Sequence, residues 1–366
     1  MTPASASAEG SSRAVKCRVA VGILNWNGEG HLKRFLPSVL AHTHAPDRVV
    51  VIDNGSTDGS LAMLGEEFPE VHVVKLKENS GFAGGYNRGF EVLSKTWSAD
   101  WFLLLNSDVE VTTGWVDGLC SASEEHGWSA AQPKIRAVER RAEFEYAGAA
   151  GGYMDRHGFM FCAGRMFGQN ELDLGQYDED KAVFWASGAA LLIRAKAWFE
   201  VQGLDEDFFA HMEEIDLCWR LKNRGFVVGA TGRSHVYHLG GGTLQHESPK
   251  KAFLNFRNNL FLLLKNDHRP GVGSRIFVRQ CLDGLAALRF VAEGKWTFFK
   301  AVWDAHMAFR RMRKPMWVKR MSEIKACQGV IATPESDAGQ FKGSVVWAFF
   351  ARGAKKWSDL PSGRFS

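Results

Sequence analysis

Short apolar runs that stop at a polar residue, separated by amphipathic stretches, constrain this chain more than any other feature. The runs at 19–24, 49–52, 71–76 and 101–105 have the length of buried strands. Between them 31–41, 60–68 and 83–94 read as helices, and Gly, Asn, Asp or Pro marks each junction. Short buried strands alternating with helices predict a parallel α/β sheet. In open sheets of that kind, ligands bind beyond the carboxyl ends of the strands.

Residues at those ends are therefore the first candidates. ILNWN supplies Asn25 and Asn27, and VIDNGSTDGS supplies Asp53 and Asn54. A carboxylate in that crevice accepts hydrogen bonds from a base N–H or a ribose hydroxyl, which makes Asp53 the expected nucleoside contact. A dehydrogenase fingerprint is excluded, because Gly28 and Gly30 are followed by Lys33 where a third glycine is required.

NSDVEV comes directly after the run at 101–105, so Asp108 is lifted out at the same edge, with Asn106 and Ser107 beside it. A departing nucleoside diphosphate carries charge that a hard divalent cation, Mg or Mn, neutralises when one or two carboxylates hold it. Asp108 is the expected ligand. VYHLGGGT adds His238 as a second one, with glycines that let backbone approach a phosphate.

HMEEIDLCWRLKNRG predicts a helix over 210–224 that Gly225 closes. Helical spacing puts Glu213, Asp216 and Arg220 on one stripe, and Glu214 with Leu217, Cys218 and Leu221. Burying an unpaired carboxylate costs several kcal/mol, so a glutamate on the apolar side is expected to face a polar cleft as a general base. Glu214 is that base, and Glu213 and Asp216 are its expected catalytic companions.

The net charge of +4 conceals a local excess: residues 269–325 hold 13 Lys or Arg against 4 Asp or Glu. Interleaved with Phe and Trp, that segment suits an anionic membrane surface. No run approaches the roughly 18 uncharged residues of a spanning helix, so the contact is expected to be peripheral. No RNA-binding motif accompanies the charge, and no nucleic-acid partner is expected. Six scattered cysteines without a CxxC pair fit a reducing cytosol, and with the peripheral contact the chain is expected at the cytoplasmic face of the inner membrane. The expected organisation is a disordered tail over 1–16, a catalytic domain over 17–250, a basic helical extension over 251–330 and a C-terminal tail over 331–366. Within the domain, 130–175 reads as glycine-rich and irregular.

Over 18–265 these motifs, in this order and spacing, resemble a family 2 glycosyltransferase. The resemblance is to rhamnosyltransferase-like members that build bacterial surface polysaccharides. It implies a GT-A fold, that is, a Rossmann-like α/β mixed sheet flanked by helices, here followed by C-terminal amphipathic helices. By the same resemblance Asp53 contacts the base or ribose. Gly81 and Asn87 of GFAGGYNRG lie near the nucleotide, and NSD stands where the family has its DxD metal motif. EEID would then replace the base motif, with His238 as a further metal ligand. FWASGAALL would line the acceptor side through Trp185, Ser187 and Gly188. The implied reaction moves one sugar from a nucleoside-diphosphate sugar to a glycan or lipid-linked acceptor, inverting, with general base catalysis. Two departures stand out: Asn106 replaces the first acid of DxD, and the base is a glutamate, one methylene longer than the expected aspartate. A nucleotidyltransferase would need an Arg- and Lys-bearing glycine loop where this chain has NWNGEG. A catalytically silent sugar-nucleotide binder is the other alternative, motivated by the weakened metal motif.

Overall fold

The computed structural model describes residues 17–146, 148–240 and 248–366. The expected tail at 1–16 and the glycines at 241 and 242 lie outside the described residues. The first half alternates as its sequence predicts: β1 (Val19–Asn25), α1 (Glu29–His42), β2 (Arg48–Asp53), α2 (Ser60–Glu67), β3 (His72–Lys75), α3 (Gly81–Ser94) and β4 (Trp101–Asn106). A tight turn leads into β5 (Val109–Val111), then α4 (Trp115–Glu125) and β6 (Ala130–Ala137).

The tract expected to be irregular is not. Besides β6 it holds β7 (Gly152–Asp155), β8 (Met160–Cys162), β9 (Arg165–Met166) and β10 (Gln169–Asn170). Strands of two to four residues broken by glycines carry no alternation long enough to register as periodicity. The chain continues through β11 (Lys181–Ala182), β12 (Ala190–Arg194), α5 (Ala195–Glu200), α6 (Glu213–Asn223) and β13 (Val228–His238). Three helices follow, α7 (Pro249–Asn266), α8 (Val272–Ala292) and α9 (Trp296–Ala326), and then β14 (Gln340–Phe341) and α10 (Val345–Ala351).

Nine strands form the main sheet in the order β11-β13-β6-β12-β4-β1-β2-β3, with β5 on β13. It is mixed: β4, β1, β2 and β3 are parallel, whereas β12 runs antiparallel to both β4 and β6. The parallel half has helices on both faces, and its inner strands β1 and β4 are buried almost throughout, as expected when neither face meets water. Glycines in α3 bring that helix down onto the sheet, since a Cβ at Gly89 would run into the Ile52 side chain and one at Gly85 into Leu24. The short strands make a second, five-stranded sheet, β10-β9-β8-β7-β14. Its last strand comes from the stretch expected as a C-terminal tail.

The helices after residue 249 pack against the catalytic half through polar as well as apolar contacts. Lys265 of α7 pairs with Asp205 at 2.6 Å and Asp216 at 2.9 Å, and Lys319 of α9 reaches Asp205 at 2.5 Å. Buried Arg320 donates to the carbonyls of Leu264 and Asp267 at 3.0 and 2.7 Å. Part of the basic excess is thus spent inside the protein. Arg310, Arg311, Arg313 and Lys314 stay exposed beside Trp317 and Val318.

Candidate active site

The register of β1 on β2 sets Asn25 opposite Asp53 at the carboxyl edge of the sheet. Asn25 donates to Asp53 Oδ1 at 3.2 Å and to Ser56 Oγ at 3.1 Å, and the Ser56 amide donates to Asp53 Oδ2 at 3.1 Å. A carboxylate has about four acceptor sites, so Asp53 keeps capacity for a base or ribose donor after these two bonds. Asn27, in the left-handed region at φ 51°, accepts from the Thr57 amide at 2.7 Å and so shapes the turn around Asp53.

Two expected nucleotide contacts are spent elsewhere. The buried Asn54 amide donates to Asn79 Oδ1 and the Gly81 carbonyl, both at 3.0 Å, and its oxygen accepts from the Ser80 amide and hydroxyl. It organises the 79–81 loop that starts α3. Asn87 faces the other way, exchanging two 2.9 Å bonds with the backbone of Leu204. Both follow from the requirement that buried polar groups be paired, and neither side chain has its amide left for a ligand.

Asp108 sits in the turn between β4 and β5, and β5 pairs with β13 so that Val109 lies opposite His238. That register brings His238 Nε2 to 3.1 Å from Asp108 Oδ1, with the Asn106 amide at 3.3 Å. On the other ring nitrogen Glu145 Oε2 stands at 3.1 Å. Glu145 was missed because it lies in the short-strand tract, where no motif marks it. Burial alone would lower the His238 pKa, but the two carboxylates outweigh it and hold the imidazole protonated, up to about 10. The Asp108 carboxyl stays below its ordinary range despite burial, held there by His238.

Among the described residues no three His, Cys, Asp or Glu side chains are grouped to hold a metal ion. Asp108 and His238 nevertheless converge on one point, and what they share there is a proton. Once that proton is displaced, the Asp108 oxygen and the neutral His238 nitrogen would fit a divalent cation whose remaining ligands come from phosphate. Glu145 would then orient the imidazole from behind, as carboxylates do behind metal-bound histidines.

The helix carrying the acidic motif starts later than its sequence suggests, at Glu213, because Phe209, His211 and Met212 all have positive φ, 66°, 66° and 72°. Non-glycine residues in that region are strained and need outside support. α7 supplies it: the Asn258 amide is shared among the carbonyls of Phe208, Ala210 and His211 at 3.0, 2.9 and 2.7 Å, and Arg257 bonds the carbonyls of Asp207 and Phe208.

From this start α6 is buried nearly all round, so the stripe of Glu213, Asp216 and Arg220 is as buried as the apolar side. Asp216 belongs to the interior, accepting from Arg220 at 2.7 Å, Lys265 at 2.9 Å and Asn266 at 2.8 Å. Burial would raise its pKa, but the two cations keep it ionised. It has three partners within the fold and faces α7 rather than an open cleft. Glu213 is buried next to Glu214, and burial followed by that neighbour's charge pushes its carboxyl well above the usual range.

Glu214 is the half-buried member, lying beside Gly188 and Phe82. A Cβ at Gly188 would stand 3.5 Å from Glu214 Cβ and 3.4 Å from the Phe82 ring. Its Oε2 has no hydrogen-bond partner among the described residues, and burial lifts its pKa to about 7. Gly188 precedes Ala189, whose carbonyl accepts from the Asn106 amide at 3.0 Å. A single backbone step therefore links the base candidate to the Asp108 turn. Of the expected sugar-side residues, Gly188 adjoins Glu214. Trp185 lies against Gly152 with its indole N–H on the Tyr153 carbonyl at 3.2 Å, a seam between the two sheets. Buried Ser187 takes Gln132 Oε1 on its amide at 2.9 Å.

A family model for glycosyl transferase family 2 matches residues 20–164. The N-acetylglucosaminyl-diphospho-decaprenol L-rhamnosyltransferase of Mycobacterium tuberculosis is 30% identical over 224 residues, covering 57% of this chain and 71% of that protein. The low-salt glycan biosynthesis hexosyltransferase Agl10 of Haloferax volcanii is 22% identical over 241 residues, 66% of this chain and 73% of its own. Among solved structures, GalNAc-T7 with UDP, GalNAc and Mn2+ superposes with a TM-score of 0.51 at 18% identity, over 68% of this chain and 48% of that one. This last likeness concerns the fold, and the chain spans about half of that protein's length.

Proposed function

The chain belongs to glycosyl transferase family 2 and has its GT-A fold, and from that premise we propose an inverting transfer of one rhamnosyl or hexosyl unit. The donor is a nucleoside-diphosphate sugar and the acceptor a lipid-linked glycan in cell-surface polysaccharide synthesis. The observation that carries the reading is the carboxyl of Glu214, whose Oε2 has no partner among the described residues and whose pKa is lifted to about 7, beside Gly188 in the segment that bonds the Asp108 turn.

In this reading Asp53 takes the donor's base or ribose, with Asn25 and Ser56 fixing its two oxygens. Glu214 removes the proton from an acceptor hydroxyl as that oxygen bonds to the anomeric carbon. The bond from that carbon to the diphosphate oxygen breaks on the opposite face, and no covalent enzyme intermediate forms. Asp108 and His238 would hold a divalent cation, Mg or Mn, which would neutralise the diphosphate charge. Gly188, with no side chain, keeps the backbone close against Glu214 and Phe82.

No helix among the described residues is long and apolar enough to cross a membrane. The exposed cations of α9 beside Trp317 and Val318 support peripheral attachment to an anionic bilayer, at its cytoplasmic face if the acceptor is presented there. The deciding experiment is release of nucleoside diphosphate from dTDP-, UDP- and GDP-sugars with acceptor present. Glu214→Gln is expected to lower turnover by about 10²–10⁴-fold. Unchanged turnover in that variant overturns the assignment of the base.

A further inference from the structure

Two open cavities away from the catalytic edge are both lined by arginine. One, of about 360 Å³, lies where the turn after β7 meets the first turn of α8, and is lined by Arg156, His157, Arg269, Ser274, Arg275 and Val278. The other, of about 710 Å³, lies between α10 and the end of the chain, with Arg156, Trp347, Arg352 and Arg364 in its walls. Arg156 belongs to both.

The charge there is not balanced from within. Asp267, buried beneath the first cavity, is one carboxylate against both Arg269 and Arg275, at 2.8 and 2.5 Å. Among the described residues Arg156, Arg352 and Arg364 make no ion pair. The Arg156 Nε donates instead to His157 Nε2 at 2.9 Å. Asp359, at the second cavity, is taken up by the amides of Lys355 and Lys356 at 2.8 and 2.9 Å. The surface beside both cavities is apolar: Phe277, Leu285 and Leu288 of α8 are exposed in one stripe, as are Trp347 and Phe350 of α10. Arg289 of α8 lies over the Phe350 ring, which brings the two elements side by side.

We propose that the paired cavities are a headgroup site for the phosphate of an anionic membrane lipid, centred on Arg156, with the exposed side chains of α8 and α10 entering the acyl boundary beside it. Guanidinium forks match phosphate oxygens, and unpaired arginines next to bare apolar side chains are complementary to a phosphate joined to hydrocarbon. The inference rests on the reading that the C-terminal helices face a membrane, and it assigns that contact to α8 and α10 as well as α9.

Sedimentation with vesicles tests it, comparing phosphatidylcholine alone with phosphatidylcholine carrying phosphatidylglycerol. The intact chain partitions more strongly onto the anionic vesicles. Arg156→Gln and Arg352→Gln each weaken that partitioning about fivefold, the gain expected of one basic residue at such a surface, and leave binding to the neutral vesicles unchanged. Thermal unfolding matching the parent confirms that both variants are folded. Equal partitioning of parent and variants overturns the headgroup site alone, whereas a parent that binds neither vesicle overturns the membrane reading with it. Arg156-dependent binding of inorganic phosphate at the same affinity as the lipid also overturns the assignment, since the hydrocarbon would then contribute nothing. Sugar transfer is read separately through Glu214→Gln in solution.

Discussion

The side-chain amide of Asn258 donates to the main-chain carbonyl of His211 at 2.7 Å, so a residue of α7 fixes the entry of the helix that carries Glu214. Asn258→Asp keeps the shape but removes the donor and leaves buried carbonyls poorly satisfied. It is expected to cost about 1–3 kcal/mol of stability, measurable by urea unfolding. Turnover falls with it, while KM for the sugar nucleotide holds, because Asp53 and Asn25 take no part in this clamp. A variant that loses donor affinity and keeps turnover contradicts the relationship.

Glu214 acts as a base only when ionised, and its pKa is lifted to about 7. kcat/KM for the acceptor is therefore expected to rise with pH and reach half its plateau near pH 7. Stability runs in the opposite sense. A carboxyl whose pKa is higher folded than unfolded binds more protons in the native state, so stability is lost as pH rises from about 4.5 to 7. Glu214→Gln removes that penalty and should be more stable than the parent at pH 8 by on the order of 1–3 kcal/mol. The difference closes towards pH 4, and paired thermal melts at the two pH values measure it.

Asp216 gives the contrary result if its role is structural. Removing one partner of a buried ion pair costs about 3–5 kcal/mol. Asp216→Ala would leave Arg220 without its carboxylate and Lys265 with Asp205 alone, at side-chain exposures of only 3% and 4%. The expected outcome is a large fall in the denaturation midpoint or loss of folded protein. Full stability with selective loss of turnover would instead return Asp216 to the catalytic set.

Chelation with EDTA is expected to stop turnover, and Mn2+ or Mg2+ to restore it. His238→Ala and Asp108→Asn should each raise the cation concentration needed for half-restoration by about 10-fold or more, the scale of effects around metal ligands. Restoration at the parent's concentration in both variants would place the cation elsewhere.

Much of this was legible in the order of residues. The half built from β1 to β4 alternates as its apolar runs predict, and Asn25, Asp53 and Asp108 come to one edge because parallel strands deliver their carboxyl ends there. The second sheet was not legible, and Glu145 went with it, since strands of two to four residues leave no period to detect. Asn54 is expected from its place at a strand end and Asn87 from the family resemblance, yet each side chain bonds a loop. Glu214 is singled out by its place beside Leu217, Cys218 and Leu221, yet in the fold the opposite stripe of Glu213, Asp216 and Arg220 is buried as well. Sequence periodicity compares residues within one helix and cannot know that α7 covers its other face.

The pairing of Lys265 and Lys319 with Asp205, and of Lys265 with Asp216, bears on where this protein can be divided. A fragment cut at residue 250 would keep Asp205 without either lysine and Asp216 with Arg220 alone, so the smallest autonomous unit must reach through α9. Natural fusions, tags or exchanges of the C-terminal helices between relatives would meet the same demand. What resembles a detachable foot is part of the ankle.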